Sequence, residues 1–242
     1  MKNKVPIETF IKPYVSAVIV CGGNSTRMGN NINKLMLNLL GIPVLARTLM
    51  KFEDSQSINE IIIVCKETDI LNFWDVVKAF DIHKVKSIIK GGLTRQQSVF
   101  CGINECSSQS EYFAIHDGAR PLVEVSDIDS TINLAFKSNA AALGVKFKDT
   151  VKLTGSNNKI IETLNRDKLW SIQTPQVFEK NIYLKAMSIA KENNQDFTDD
   201  CALLENVLQD VYIYEGKYSN IKITTNDDIA IAEGILLQSN NE

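Results

Sequence analysis

The stretch Val15-Ser16-Ala17-Val18-Ile19-Val20-Cys21 has strand character throughout and runs without a spacer into Gly22-Gly23-Asn24-Ser25-Thr26-Arg27-Met28-Gly29. A strand this continuously apolar belongs inside a sheet covered on both faces. The glycines at its end let backbone N–H groups come close to an anion, because no Cβ stands in the way. Arg27 in the loop and Lys34 just beyond it would place two cations on such an anion. A turn with solvated cations is the plainer reading of the same residues.

The rest of the chain repeats a strand–helix alternation. Strands are expected at Ile58–Cys65, Val85–Ile89, Tyr112–Ile115, Ala140–Phe147 and Val211–Tyr214, while Trp170–Gln176 is a segment to which no type is assigned. Helices are expected from Pro43 to about Phe52, at Ile70–Phe80, Arg95–Cys106, from near Asp127 with Ser126 as its N-cap, at Lys180–Lys191, from near Thr198, and at Asp227–Leu237. This pattern predicts an α/β fold with a mostly parallel sheet and helices on both faces. Asp149–Thr163 breaks it, reading as strand, Gly155-Ser156-Asn157-Asn158, strand: a protruding β-hairpin arm at about 149–165. Arms of this kind pair with a second copy of the chain or lie as a surface flap. Residues 1–242 read as a single domain carrying that arm.

Composition narrows the function. A net charge of −3 gives no basic field for nucleic acid. The five cysteines are odd in number and form no C-x-x-C pair, so a reduced, cytoplasmic protein without a zinc site is expected. Glu8, Lys12 and Pro13 interrupt the apolar character near the start, and no signal peptide or membrane span is expected.

The glycine loop is neither a Walker loop nor a dinucleotide fingerprint, since Gly22, Gly23 and Gly29 do not fit G-x-G-x-x-G and no Gly-Lys-Ser/Thr follows. A second candidate is His116-Asp117-Gly118-Ala119-Arg120-Pro121, placed just past a strand end, where open α/β sheets bind ligands. An aspartate beside phosphate oxygens calls for Mg²⁺ between them, and Mg²⁺ uses one or two carboxylates together with substrate phosphates. A capping aspartate paired with its arginine is the alternative. In Gly91-Gly92-Leu93-Thr94-Arg95-Gln96-Gln97-Ser98-Val99, the amides and the Ser98 hydroxyl are suited to a base or a ribose, or the segment is an ordinary helix entry. Late polar clusters, at Thr150, Arg166 with Trp170, Gln173–Gln176, Thr198–Asp200 and Lys222, supply two further cations for a second anionic substrate, Arg166 and Lys222.

Taken together, GGNSTRMG with Lys34, GGLTRQQSV, HDGARP, DTVK, TLNRDKLWSIQTPQVF, FTDD and NIKITT resemble the 2-C-methyl-D-erythritol 4-phosphate cytidylyltransferase family over nearly the whole chain from Val15 to Leu237. The resemblance implies a Rossmann-like nucleotidyltransferase fold, a homodimer formed through the arm, and cytidylyl transfer from CTP to methylerythritol phosphate with release of pyrophosphate. It implies Arg27 and Lys34 on the reacting phosphates, with Gly22, Gly23, Gly92, Ser98, Asp117 and Gly118 around CTP. Asp117 would also hold Mg²⁺. Arg166, Lys222, Thr150 and Arg120 would receive the second substrate, some of them from the partner's arm. The chain departs from the family pattern at Cys21-Gly22-Gly23, where Ala-Ala-Gly is usual, at Asn33-Lys34-Leu35 in place of Pro-Lys-Gln, and at Ser219.

Two other readings stay open. One is a ribitol 5-phosphate cytidylyltransferase, disfavoured by HDGARP and by the Arg166–Trp170 stretch. The other is a non-catalytic nucleotide-binding protein, disfavoured because it need not keep cations for a second substrate.

Overall fold

The structure is a computed structural model that describes residues 12–23 and 33–239; Arg27 and the rest of loop 24–32 lie outside the described residues. The opening strand, β1 (Val15–Val20), is followed by a 3-10 turn at Lys34–Met36 and a small antiparallel pair, β2 (Asn38–Leu39) and β3 (Ile42–Pro43). Helix α1 (Val44–Asp54) comes next, then β4 (Glu60–Cys65), α2 (Ile70–Ala79), β5 (Val85–Lys90) and α3 (Arg95–Glu105). The middle of the chain supplies β6 (Tyr112–Asp117), α4 (Val125–Ser138) and β7 (Ala140–Lys146). A hairpin of β8 (Lys152–Thr154) and β9 (Ile160–Thr163) precedes β10 (Trp170–Glu179), α5 (Lys180–Glu192), α6 (Asp200–Glu205), β11 (Tyr212–Glu215) and α7 (Asn226–Ser239).

Seven strands form one sheet in the order β11-β7-β10-β6-β1-β4-β5. All of its ladders are parallel except the two made by β10, which runs antiparallel to β6 and to β7. The expected α/β class and mostly parallel sheet are therefore observed. Side chains alternate between the two faces with the period of a strand. Val15, Ala17 and Ile19 enter one core with Leu49 and Phe52 of α1, Phe73 of α2, Ile132 of α4 and Ala232 of α7. Val18, Phe113 and Ile115 enter the other with Val99 of α3, Tyr183 of α5 and Leu203 of α6. Each central strand is buried on both sides, which is why its sequence is a nearly unbroken apolar run.

One close approach fixes how α3 lies on the sheet. A Cβ built on Gly102 would stand 2.5 Å from Val18 Cγ1 and 2.7 Å from Val64 Cγ2, so only glycine lets the helix sit that near.

Some boundaries differ from the sequence expectation, each for a local reason. Pro43 flanks α1 as its N-cap rather than opening it, and α4 begins one residue before the expected cap Ser126, with Glu124 as N-cap. β6 continues two residues past Ile115, because His116 and Asp117 keep register with Ile19 and Val20. β10 runs past Gln176 to Glu179, where its last residues pair with β6. Segment 220–225 adds no strand to the sheet; it is tied in by the Ile223 N–H, which donates to Ala119 O at 2.8 Å.

The hairpin leaves the sheet after β7 and returns through β10, with Lys146 paired to Trp170 at its base. β7 and β6 point the same way, so the arm rises from the edge of the sheet where Asp117 ends β6. Its apolar side chains Leu153, Ile160 and Ile161 are exposed. Among the described residues, no helix is long and apolar enough to cross a membrane.

Candidate active site

A cleft of about 270 Å³ opens at the carboxyl ends of β1 and β6. Among the described residues it is lined by Val20–Gly23, Asn33–Leu35, Gly92–Arg95, Ser98, Asp117, Ala119 and Lys222. The sheet thus gathers Gly22 and Gly23, Lys34, the Gly92 segment and Asp117 in one place, as expected of an open α/β sheet. Lys222, separated from Lys34 by most of the chain, lies in the same cleft rather than apart from it.

Asp117 is the electrostatic centre. Its Oδ2 is 2.9 Å from Lys222 Nζ and 3.4 Å from Arg120 Nε, and its Oδ1 is 3.9 Å from Arg95 Nε. Burial alone would push this carboxyl up. Lys222, Arg120 and Arg95 outweigh burial and hold it well below the usual carboxylate range. Asp117 is therefore ionised, as a hard-cation ligand must be.

Its neighbours are set by buried polar contacts. The Asp117 N–H donates to Thr174 Oγ1 at 3.1 Å, and the same hydroxyl meets His116 Nδ1 at 2.9 Å. His116 is fully buried, with its ring 4.7 Å from that of Phe52, and burial pushes its pKa down to about 3. It is a neutral structural group. Arg120 donates from Nη1 to Asn220 O at 2.8 Å, and Asn220 Nδ2 donates to Gln173 Oε1 at 3.0 Å and to Thr174 O at 3.1 Å. The late polar cluster Gln173–Gln176 thus braces Asp117 from behind.

Lys34 is placed by its turn. Asn33 Oδ1 accepts from the Leu35 N–H at 3.0 Å, Leu35 is buried in the core, and Lys34 Nζ donates to Ile223 O at 2.8 Å. Both residues that depart from the family pattern therefore have local work: Asn33 caps the turn and Leu35 anchors it. Cys21 is buried, and burial holds its thiol well above the ordinary value, so it packs rather than reacts.

The glycine and serine candidates divide. Gly22, Gly23 and Gly92 line the cleft. Ser98 lines it too, with its hydroxyl donating to Thr94 O at 2.9 Å, which leaves the oxygen lone pairs to accept. Gly118 does not appear in the lining. Its N–H donates to Val20 O at 3.0 Å and its carbonyl accepts from Thr48 Oγ1 at 2.9 Å, so both backbone groups hold the strand end in place. Thr150 and Arg166 are exposed and lie on the arm, outside the cleft, where Arg166 Nη1 donates to Lys148 O at 2.8 Å.

Arg95 is the residue the sequence reading left without a role. It opens α3 behind its N-cap Thr94, lines the cleft, and pairs with Asp200 Oδ2 at 2.6 Å. Burial opposes its charge, but Asp200 and then Asp117 outweigh that and hold the guanidinium firmly protonated. Its position in the Gly91–Val99 segment was a usable signal; the partner Asp200, far along the chain, was not visible from spacing.

Comparison with known proteins agrees with this geometry. The profile of the 2-C-methyl-D-erythritol 4-phosphate cytidylyltransferase family matches residues 15–238. The protein so named in Clostridium novyi (strain NT) is 42% identical over 221 residues, covering 91% of this chain and 95% of that one. The one in Caldanaerobacter subterraneus subsp. tengcongensis is 45% identical, covering 90% and 97%. The crystal structure of 4-diphosphocytidyl-2C-methyl-D-erythritol synthase from Anaerococcus prevotii superimposes with a TM-score of 0.84 at 32% identity, covering 93% of this chain and 97% of that chain. With the profile match spanning nearly the whole chain and relatives above 40% identity, this chain belongs to the 2-C-methyl-D-erythritol 4-phosphate cytidylyltransferase family.

Proposed function

We propose that this protein transfers the cytidylyl group of CTP to 2-C-methyl-D-erythritol 4-phosphate, releasing pyrophosphate, in the non-mevalonate route to isoprenoids. The observation that carries the reading is the meeting of Lys34, Arg95, Lys222 and ionised Asp117 in one cleft at the strand ends. In this reaction a phosphate oxygen of the acceptor attacks the α-phosphorus of CTP, and the bond from that phosphorus to the bridging oxygen of pyrophosphate breaks. Both reactants are polyanions, so the protein's task is to align them and to neutralise charge, and no protein nucleophile is needed.

Lys34, with Arg27 from the loop, offers positive charge to the reacting phosphates. The backbone of Gly22, Gly23 and Gly92 is suited to close contact with the nucleotide, and Ser98 can accept a hydrogen bond from it. Lys222, 2.9 Å from Asp117 Oδ2, would receive the acceptor phosphate, with Arg120 helping to fix Asp117. Thr150 and Arg166 would reach the acceptor from the arm of a second copy in a homodimer, an assignment supported by the exposed apolar residues of that arm. The acidic net charge and unpaired cysteines fit a cytoplasmic enzyme that does not act on nucleic acid.

The donor set suits magnesium. Asp117 is a single ionised carboxylate whose Oδ1 has Arg95 no nearer than 3.9 Å, and Mg²⁺ needs one or two carboxylates beside phosphate oxygens. When bound, the ion would screen the triphosphate and stabilise the leaving pyrophosphate.

The test is pyrophosphate release from CTP, Mg²⁺ and each of two acceptors. Turnover with methylerythritol phosphate as the better acceptor is expected. A preference for ribitol 5-phosphate would reassign the acceptor, and CTP binding without release in either case would make the protein a nucleotide binder.

A further inference from the structure

Behind the cleft stands a chain of buried side chains that no ligand needs to touch. Tyr183 of α5 donates its hydroxyl to Asp200 Oδ1 at 2.6 Å, and Asp200 Oδ2 accepts from Arg95 Nη1 at 2.6 Å. Asp200 is 2% exposed, and its own N–H donates to Gln176 Oε1 at 3.1 Å, so both its carboxylate and its backbone are fixed. Tyr183 is fully buried, and burial, followed by the Asp200 charge, holds its phenol well above the ordinary value. It remains a donor at every physiological pH.

Arg95 occupies an awkward place. It is the first residue of α3, where the positive end of the helix dipole disfavours a second positive charge. Two carboxylates compete for it: Asp200 at 2.6 Å and Asp117 at 3.9 Å. Asp200 has the shorter contact. A guanidinium donates in a rigid plane, so holding Nη1 on Asp200 also restrains Nε, which stays 3.9 Å from Asp117 Oδ1.

We propose that Asp200, backed by Tyr183, is a positioning residue for the cleft: it keeps the Arg95 guanidinium aimed at the anionic ligand and prevents it from closing onto Asp117. Without Asp200, Asp117 would be the carboxylate left beside Arg95 among the described residues. That would withdraw one cation from the nucleotide and blunt the one carboxylate suited to a metal ion. The proposal relies on the cytidylyltransferase reading for the identity of the nucleotide, while its geometry belongs to the protein alone.

The test is a double-mutant cycle on Arg95→Gln and Asp200→Asn in the full chain, read as the affinity for CTP with Mg²⁺ by calorimetry and as kcat/KM by pyrophosphate release. Each single variant is expected to lose about tenfold in affinity. The double variant is expected to be no weaker than Arg95→Gln, because Asp200 acts only through Arg95. A structural aspartate would instead multiply its loss onto that of Arg95→Gln, and that result, or a wild-type affinity in Asp200→Asn, overturns the proposal. Should Asp200→Asn not fold, Tyr183→Phe takes its place in the cycle, with an expected loss of about threefold that disappears in the Arg95→Gln background. If the wild type binds CTP but turns over neither acceptor, the enzymatic reading fails while the affinity cycle still decides the role of Asp200. A wild type that binds no CTP sinks both.

Discussion

Lys222 Nζ sits 2.9 Å from Asp117 Oδ2 although more than a hundred residues separate them in the chain. The lysine is 41% exposed, whereas the aspartate is 11% exposed. A partly solvated cation thus neutralises a buried anion.

Replacing Lys222 by alanine is therefore expected to damage catalysis much more than folding. Loss of the acceptor's cation should lower kcat/KM for methylerythritol phosphate by about a hundredfold, the scale of a lost charged contact. Arg120 and Arg95 still compensate the Asp117 charge when Lys222 is gone, so the melting temperature should move by only a few degrees. Pyrophosphate release at varied acceptor concentration and thermal denaturation check the two halves. A large drop in melting temperature would show that Lys222 holds the fold instead.

Lys34→Ala probes the other side of the reaction. Charge accumulates on the phosphorus and on the departing pyrophosphate after CTP is bound, so a cation placed there lowers the barrier more than it tightens binding. Turnover should fall by about two to three orders of magnitude while CTP affinity falls by less than about tenfold. Near-normal turnover would remove Lys34 from the mechanism.

His116 makes a pH prediction with a definite sign. Burial depresses its pKa to about 3 in the folded protein, while an unfolded chain protonates histidine near pH 6.5. Between those values the unfolded state binds a proton that the native state refuses, so stability falls as pH falls. The slope from this group approaches ~1.4 kcal/mol per pH unit within that window and vanishes above about pH 7. Denaturant unfolding of the wild type and His116→Gln between pH 4 and about 7 should show the variant losing less stability per unit. Parallel slopes would mean that His116 already titrates in the native protein.

Gly102→Ala tests the packing of α3 on the sheet. A single methyl would stand 2.5 Å from Val18 Cγ1, and overpacking of that kind costs about 1–3 kcal/mol, more than the helix propensity that alanine gains. Val18→Ala in the same chain should recover part of the loss. Urea unfolding measures both, and an unchanged midpoint in Gly102→Ala would mean that the helix can rise off the strand.

The sequence made the strands and most helices readable because the central strands are buried on both faces and alternate with amphipathic helices. It was silent on direction: nothing in Trp170–Glu179 distinguishes an antiparallel strand from a parallel one, since pairing is decided by partners elsewhere in the chain. The cleft was readable where its residues sit at strand ends, as with Gly22, Gly92 and Asp117. It was hidden where a residue works through a distant partner. Arg95 with Asp200 and Arg120 with Asn220 join segments about a hundred residues apart, and no local pattern marks either pair. Gly118 illustrates the converse, since it stands inside a legible motif yet both its backbone groups are used to hold β1 and α1.

The pairing of Lys146 with Trp170 also defines a natural seam. No residue between them lines the cleft, so the intervening segment is a detachable cassette as far as the nucleotide side is concerned. A chain in which a short turn joins those two positions should still bind CTP, which calorimetry would report, while losing any function that depends on the arm. Whatever the arm contributes can then be exchanged on a nucleotide-side body that stays the same.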